Sequence, residues 1–203
     1  MKKLTSSLTN MVLVLVGVAL ITGALLAYVN HLTAGPKAQQ QAKTLAEGIR
    51  TVMGNDRVEV AATDTVTATE GGKPVAMVVH RIAGGGAAVE SSTMGFGGEL
   101  RVLVGFSADG TITGYTVLQH AETPGLGAKA ATWFQRGAKG CIVGLRADKP
   151  LSVSKDGGQV DAITASTITS RAFLKAVNQA YAAYANQKHP DGHTGASTKA
   201  KKG

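Results

Sequence analysis

The sequence runs to 203 residues, 44% hydrophobic, 17% charged and 4% aromatic, which excludes a disordered chain and leaves room for a membrane segment beside one modest globular domain. Its formal charge of +8 sits mostly at the ends, because residues 36–187 hold 15 Lys and Arg against 12 Asp and Glu, a net of +3, so a basic nucleic-acid-binding face finds no support. Cys141 is the only cysteine, which excludes an internal disulfide and any cysteine-built zinc or iron–sulfur site.

Residues 1–10 form a short N-terminus carrying Lys2 and Lys3, and residues 11–29 follow without a single charge. At about 1.5 Å per residue, a helix of that length nearly matches a hydrocarbon core of about 30 Å. A cleaved signal peptide has a shorter apolar region, of about 7–15 residues, and usually a small-residue cleavage site; no clear A-x-A site follows here, so the segment reads as a retained anchor. The lysines on its N-terminal flank put that end in the cytoplasm and the rest of the chain outside. Ala19, Gly23 and Ala27 recur at the spacing that lets a second transmembrane helix approach closely, a spacing also common in ordinary spans.

Residues 30–57 read as a juxtamembrane helix and connector. Pro36 suits a first helical position, Ala42, Leu45, Ile49 and Val52 mark one apolar face, and Gly54, Asn55 and Asp56 end the helix. From residue 58 to 119 the pattern changes to short β-rich runs, at 74–82, 100–106 and 112–118, with a hairpin signal at Ala108, Asp109 and Gly110. A short helical stretch is expected over 128–135, a small buried cysteine at 141, and a further strand over 159–163. The last element carries an apolar stripe through Ile168, Ala172, Phe173, Ala176, Val177, Ala180, Tyr181 and Tyr184. Residues 188–203 form a polar, lysine-tipped tail whose His189 and His193 read as solvated rather than metal-binding. The fold class is α+β: a transmembrane helix, then one domain over residues 58–187 with an antiparallel β-meander packed by helices.

Two stretches carry possible chemistry. Residues 161–170, DAITASTITS, crowd Thr164, Ser166, Thr167, Thr169 and Ser170 at the start of the last helix. One hydroxyl serves as an N-cap; the same helix end, with its free N–H groups, favours a phosphate. The lysine and glycine spacing of a P-loop is missing, which argues against nucleotide hydrolysis. Residues 120–127, HAETPGLG, follow a predicted strand. Pro124 restrains a turn there while Gly125 and Gly127 permit close backbone approach, to a planar ligand or simply within a tight surface turn. His120 and Glu122 in this loop are residue types of acid–base chemistry.

Taken in order, HAETPGLG and DAITASTITS resemble the FMN-binding domain of the G subunit of Rnf-type electron transport complexes, which the C subunit of sodium-pumping NADH:quinone reductase shares. The resemblance implies FMN held covalently, through a phosphoester, on Thr167, with phosphate oxygens against the N–H groups of residues 168–170. It implies further flavin contacts from Glu122, Thr123, Leu126 and Gly127, and from the backbone of Thr164, Ala165 and Ser166 around the phosphate, with Asp161 leading the motif. Ala165 stands where Gly is usual and Ser166 where Ala is usual; Ala at a position needing positive φ would cost about 1 kcal/mol. No catalytic acid–base residue and no metal is implied. The function implied is that of an electron-relay subunit of an inner-membrane ion-translocating ferredoxin:NAD oxidoreductase, whose partners are the other membrane subunits and a flavin transferase. A membrane-anchored FMN-binding sensor or assembly protein, and a structural anchor with a degenerate site, are the alternatives.

Overall fold

The computed structural model describes residues 8–55, 57–70 and 73–188. Lys2, Lys3 and the tail with His189 and His193 lie outside these. Contacts divide the chain into two units, residues 1–44 and 45–203. Helix α1 (Leu8–Met53) begins in the first and ends in the second.

Over residues 11–29 α1 is apolar around its circumference and largely uncovered: Leu13 is 64% exposed, Leu20 68% and Ile21 71%. Among the described residues it is the one helix long and apolar enough to cross a membrane. Thr22 and Thr33 bond their hydroxyls back to the Val18 and Val29 carbonyls, which satisfies them without water. The helix start expected at Pro36 is corrected: α1 runs through it. Proline forfeits its own bond to the carbonyl four residues back, and here that single lost bond does not end a helix of 46 residues.

The second unit is built on a five-stranded antiparallel meander in the order β1 (Val60–Glu70), β2 (Lys73–Ile82), β3 (Ala87–Met94), β4 (Glu99–Phe106), β5 (Ile112–Gln119). Side chains alternate between two buried faces. Val79, Val89, Val102 and Val104 point to the main core, where helix α3 (Thr167–Lys188) contributes Phe173, Ala176, Val177 and Ala180. Ala88 and Leu103 point the other way, onto Ile49 and Val52 in the last turns of α1. Gly54, at φ 64, closes that helix. On the same outer side a polar row crosses the strands: His80 Nε2 lies 2.9 Å from Glu90, whose second oxygen accepts from Arg101 at 2.9 Å. Burial works against the Glu90 carboxylate, but His80 and Arg101 outweigh it and hold the group below its ordinary pKa.

Beyond β5 the chain is mostly irregular. The helix expected over 128–135 shrinks to a 3-10 turn at Gly127–Lys129 and a single turn, α2 (Ala130–Trp133). Tyr115 pins that turn by donating to the Ala130 carbonyl at 2.7 Å and accepting the Phe134 N–H. Phe134 stacks on Phe173 with ring centroids 4.2 Å apart. The strand expected over 159–163 is reduced to one bridge between Val153 and Val160, because the Ile163 N–H goes to the Ser170 hydroxyl instead of a ladder. Cys141 is half-buried rather than in the core, its thiol 3.7 Å from the Val143 carbonyl. Ile168 leaves the helical stripe and is 54% exposed.

Candidate functional site

Glu122 explains how the 120–127 loop is held. Only 5% exposed, its Oε1 accepts the N–H of Phe96 at 2.8 Å and of Gly97 at 3.2 Å, while its Oε2 accepts the Thr169 hydroxyl at 2.7 Å. One carboxylate thereby joins the β3–β4 turn, the loop after β5 and the first turn of α3. The packing is close enough that a Cβ on Gly95 or Gly127 would strike the Glu122 side chain, and one on Gly97 would strike the Ala121 carbonyl. The His120 and Glu122 side chains of this loop both have partners: His120 Nδ1 accepts the Glu122 backbone N–H at 3.3 Å, and the Glu122 carboxylate accepts from three donors.

The hydroxyl cluster separates by role. Ser170 accepts the Ile163 N–H and donates to the Ser166 carbonyl, each at 2.9 Å, and Thr169 is tied to Glu122. Thr164 is exposed on the preceding turn. Asp161 is structural as well: its carbonyl accepts the Trp133 indole N–H at 2.9 Å and its carboxylate the Ser154 hydroxyl at 3.2 Å. Ala165 is the one non-glycine residue with positive φ among the described residues, at 62°. An L-residue there is strained by its Cβ. Ala165→Gly is expected to stabilise the domain by about 1 kcal/mol, seen as a rise of about 2–4 °C in the melting temperature of the detergent-solubilised chain; an unchanged or lower value would mean that the turn tolerates the Cβ.

These segments enclose a cleft of about 410 Å³ lined by Phe96, Glu122, Thr123, Leu126, Gly127, Ala165, Ser166, Thr167, Ile168 and Thr169, a size within the range of small-molecule sites. Of the residues the sequence points to, Glu122, Thr123, Leu126, Gly127, Ala165, Ser166 and Thr167 meet here and Thr164 lies outside the lining. Phe96 is an addition outside both motifs, and Ile168 and Thr169, expected only through their backbone N–H groups, also line the cleft. The cleft offers two kinds of surface. Where α3 begins, the N–H groups of residues 167–169 precede the first helical acceptor bond, the Ser170 N–H to the Ser166 carbonyl at 3.0 Å; the free donors therefore start at Thr167, one residue before the position expected. Phe96, Leu126 and Ile168 add apolar lining and are 69%, 43% and 54% exposed. Anionic phosphate fits the free donors and a flat apolar ring the exposed apolar side chains, so the residues present suit FMN.

The FMN-binding domain family matches residues 95–182, a span that contains every residue of the cleft. The chain is 34% identical over 188 residues to the G subunit of the ion-translocating oxidoreductase complex of Methanosarcina acetivorans, covering 87% of this chain and 94% of that one. It is 39% identical over 117 residues to the protein of the same name from Shewanella baltica, covering 56% and 50%. It is 44% identical over 100 residues to the G subunit of the Na(+)-translocating ferredoxin:NAD(+) oxidoreductase complex of Acetobacterium woodii, covering 46% of each. The aligned region thus spans about half the length of several of these relatives and nearly all of the archaeal one. The resemblance drawn from the two motifs and the α+β expectation both stand, and the chain belongs to the family of G subunits of ion-translocating oxidoreductase complexes.

Proposed function

We propose that the chain is the electron-relay subunit of a membrane-bound ion-translocating ferredoxin:NAD oxidoreductase and carries FMN as a phosphoester on Thr167. One observation carries the reading. The Thr167 hydroxyl, which makes no hydrogen bond among the described residues, shares the cleft with the open helix end and with the apolar trio Phe96, Leu126 and Ile168. Bound flavin would supply a ring that accepts one or two electrons. The chain's own part is placement: the N–H groups of residues 167–169 receive the phosphate, Glu122 fixes the loop bearing Thr123, Leu126 and Gly127, and the apolar trio meets the ring.

The one carboxylate in the cleft, Glu122, is given over to three structural donors, Phe96, Gly97 and Thr169, rather than to the Thr167 hydroxyl. A separate flavin transferase therefore makes the bond. Lys2 and Lys3 ahead of the span put the N-terminus in the cytoplasm and the flavin domain on the other side of the inner membrane, where a covalent link retains a cofactor that is hard to replace. The domain of residues 58–187 passes electrons between stations held by the other membrane subunits.

The test is gentle isolation of the tagged chain from its native membrane. The expected result is a flavin that fluoresces in the denatured chain, an added mass of FMN less one water, and several multi-span subunits with further redox centres co-purifying. A flavinylated chain that purifies alone would assign it to a sensor or assembly role.

A further inference from the structure

We infer that Phe96 is a positioning residue for the flavin ring: its phenyl group forms the wall that fixes the ring in the cleft. The inference rests on the FMN reading above and adds a residue outside both sequence motifs.

Phe96 is 69% exposed, yet its backbone is not free. Its N–H and that of Gly97 are both taken by Glu122 Oε1, and the Gly95 N–H donates to the Gly98 carbonyl at 2.8 Å. The turn is thus closed by four residues and gripped by a buried carboxylate that also holds α3 through Thr169. A single exposed apolar side chain is ordinary, but several gathered in one concave site mark a ligand surface. Among the described residues beyond α1, the exposed large apolar side chains are Val60, Met94, Phe96, Leu126 and Ile168, and the last three line one cleft from three different segments. A flat aromatic ligand covers all three together, and an aromatic wall stacks on it or meets it edge-on. Leu126 and Ile168 lack the π surface that fixes a ring's orientation, which leaves that task to Phe96.

The cleft lining contains no Tyr or Trp, so no side chain in contact quenches flavin emission by electron transfer, and emission becomes the reporter of Phe96. Full-length chain flavinylated in transferase-containing cells is compared with Phe96→Trp and Phe96→Tyr, with emission normalised to flavin content after denaturation. Both variants are expected to lose more than half of the native emission per flavin and to recover it on denaturation, because each places an electron donor against the ring. Phe96→Leu keeps the emission but makes it several-fold more sensitive to iodide. Folding is followed by thermal melting, and the exposed position tolerates these exchanges. Undimmed emission in both Trp and Tyr variants, with flavin still covalently attached, would overturn the assignment of Phe96 alone. Wild-type chain without covalent flavin would overturn the FMN reading and this inference with it.

Discussion

Glu122→Ala is expected to destabilise the domain by about 3 kcal/mol, because it strands the Phe96 N–H, the Gly97 N–H and the Thr169 hydroxyl, and each orphaned donor costs about 1–3 kcal/mol before water from the open cleft offsets part of it. Melting of the solubilised chain, followed by the emission of its one tryptophan, Trp133, then shifts down by about 6–12 °C for a chain of this size. Trp133 suits the measurement because it lies in the second unit and not in the long apolar part of α1. Glu122→Gln separates hydrogen bonding from volume. The amide oxygen still accepts the two N–H groups, and the amide nitrogen can donate to Thr169 if that hydroxyl turns to accept, so the loss falls to about 1 kcal/mol. Equal losses in the Ala and Gln variants would mean that charge, rather than the count of accepted bonds, holds the three segments together.

The same residue shows where local sequence signals run out. The runs at 74–82, 100–106 and 112–118 are legible because alternating apolar residues face two buried layers, and their bounds differ from β2, β4 and β5 by a single residue. The hairpin at Asp109 and Gly110 is legible from its turn residues. β3 does not stand out, since AAVESSTM carries Glu90 and hydroxyls where alternation would be read. Two of the hydroxyls are satisfied by partners far along the chain, Ser91 by Gln179 and Thr93 by the Ala172 carbonyl. Pro36 reads as a helix start because local rules cannot see that the surrounding helix absorbs one missing bond.

At the site, the two motifs are visible as local oddities, an excess of hydroxyls and a glycine-bearing loop after a strand. Their union is not. It depends on a carboxylate that bonds residues 26 positions upstream, at Phe96, and 47 positions downstream, at Thr169, and no periodicity encodes such a tie. Phe96 itself looks like one apolar residue in a glycine-rich turn. The departure at Ala165 is legible as a difference from the family pattern, and its consequence becomes specific only with the φ of 62°.

Thr167→Ala is expected to abolish covalent flavin altogether, seen as loss of in-gel fluorescence and of the added mass, while leaving folding stability within about 0.5 kcal/mol of wild type. The stability half follows from the geometry: the Thr167 hydroxyl bonds nothing among the described residues, and Ala is at least as good a helix former as Thr in the first turn. The attachment half rests on the FMN reading, and neighbouring hydroxyls make it discriminating. Thr164→Ala should keep its flavin, because Thr164 lies outside the cleft lining. Ser166→Ala should also keep it, since Ala is the usual residue there in the family the motif resembles. Thr167→Ser retains a hydroxyl at the same atom and should load flavin, which would show that the oxygen matters and not the methyl group. Loss of flavin in Thr164→Ala with retention in Thr167→Ala would move the bond to the exposed turn, away from the N–H groups of residues 167–169, and remove the physical reason for placing a phosphate at the start of α3.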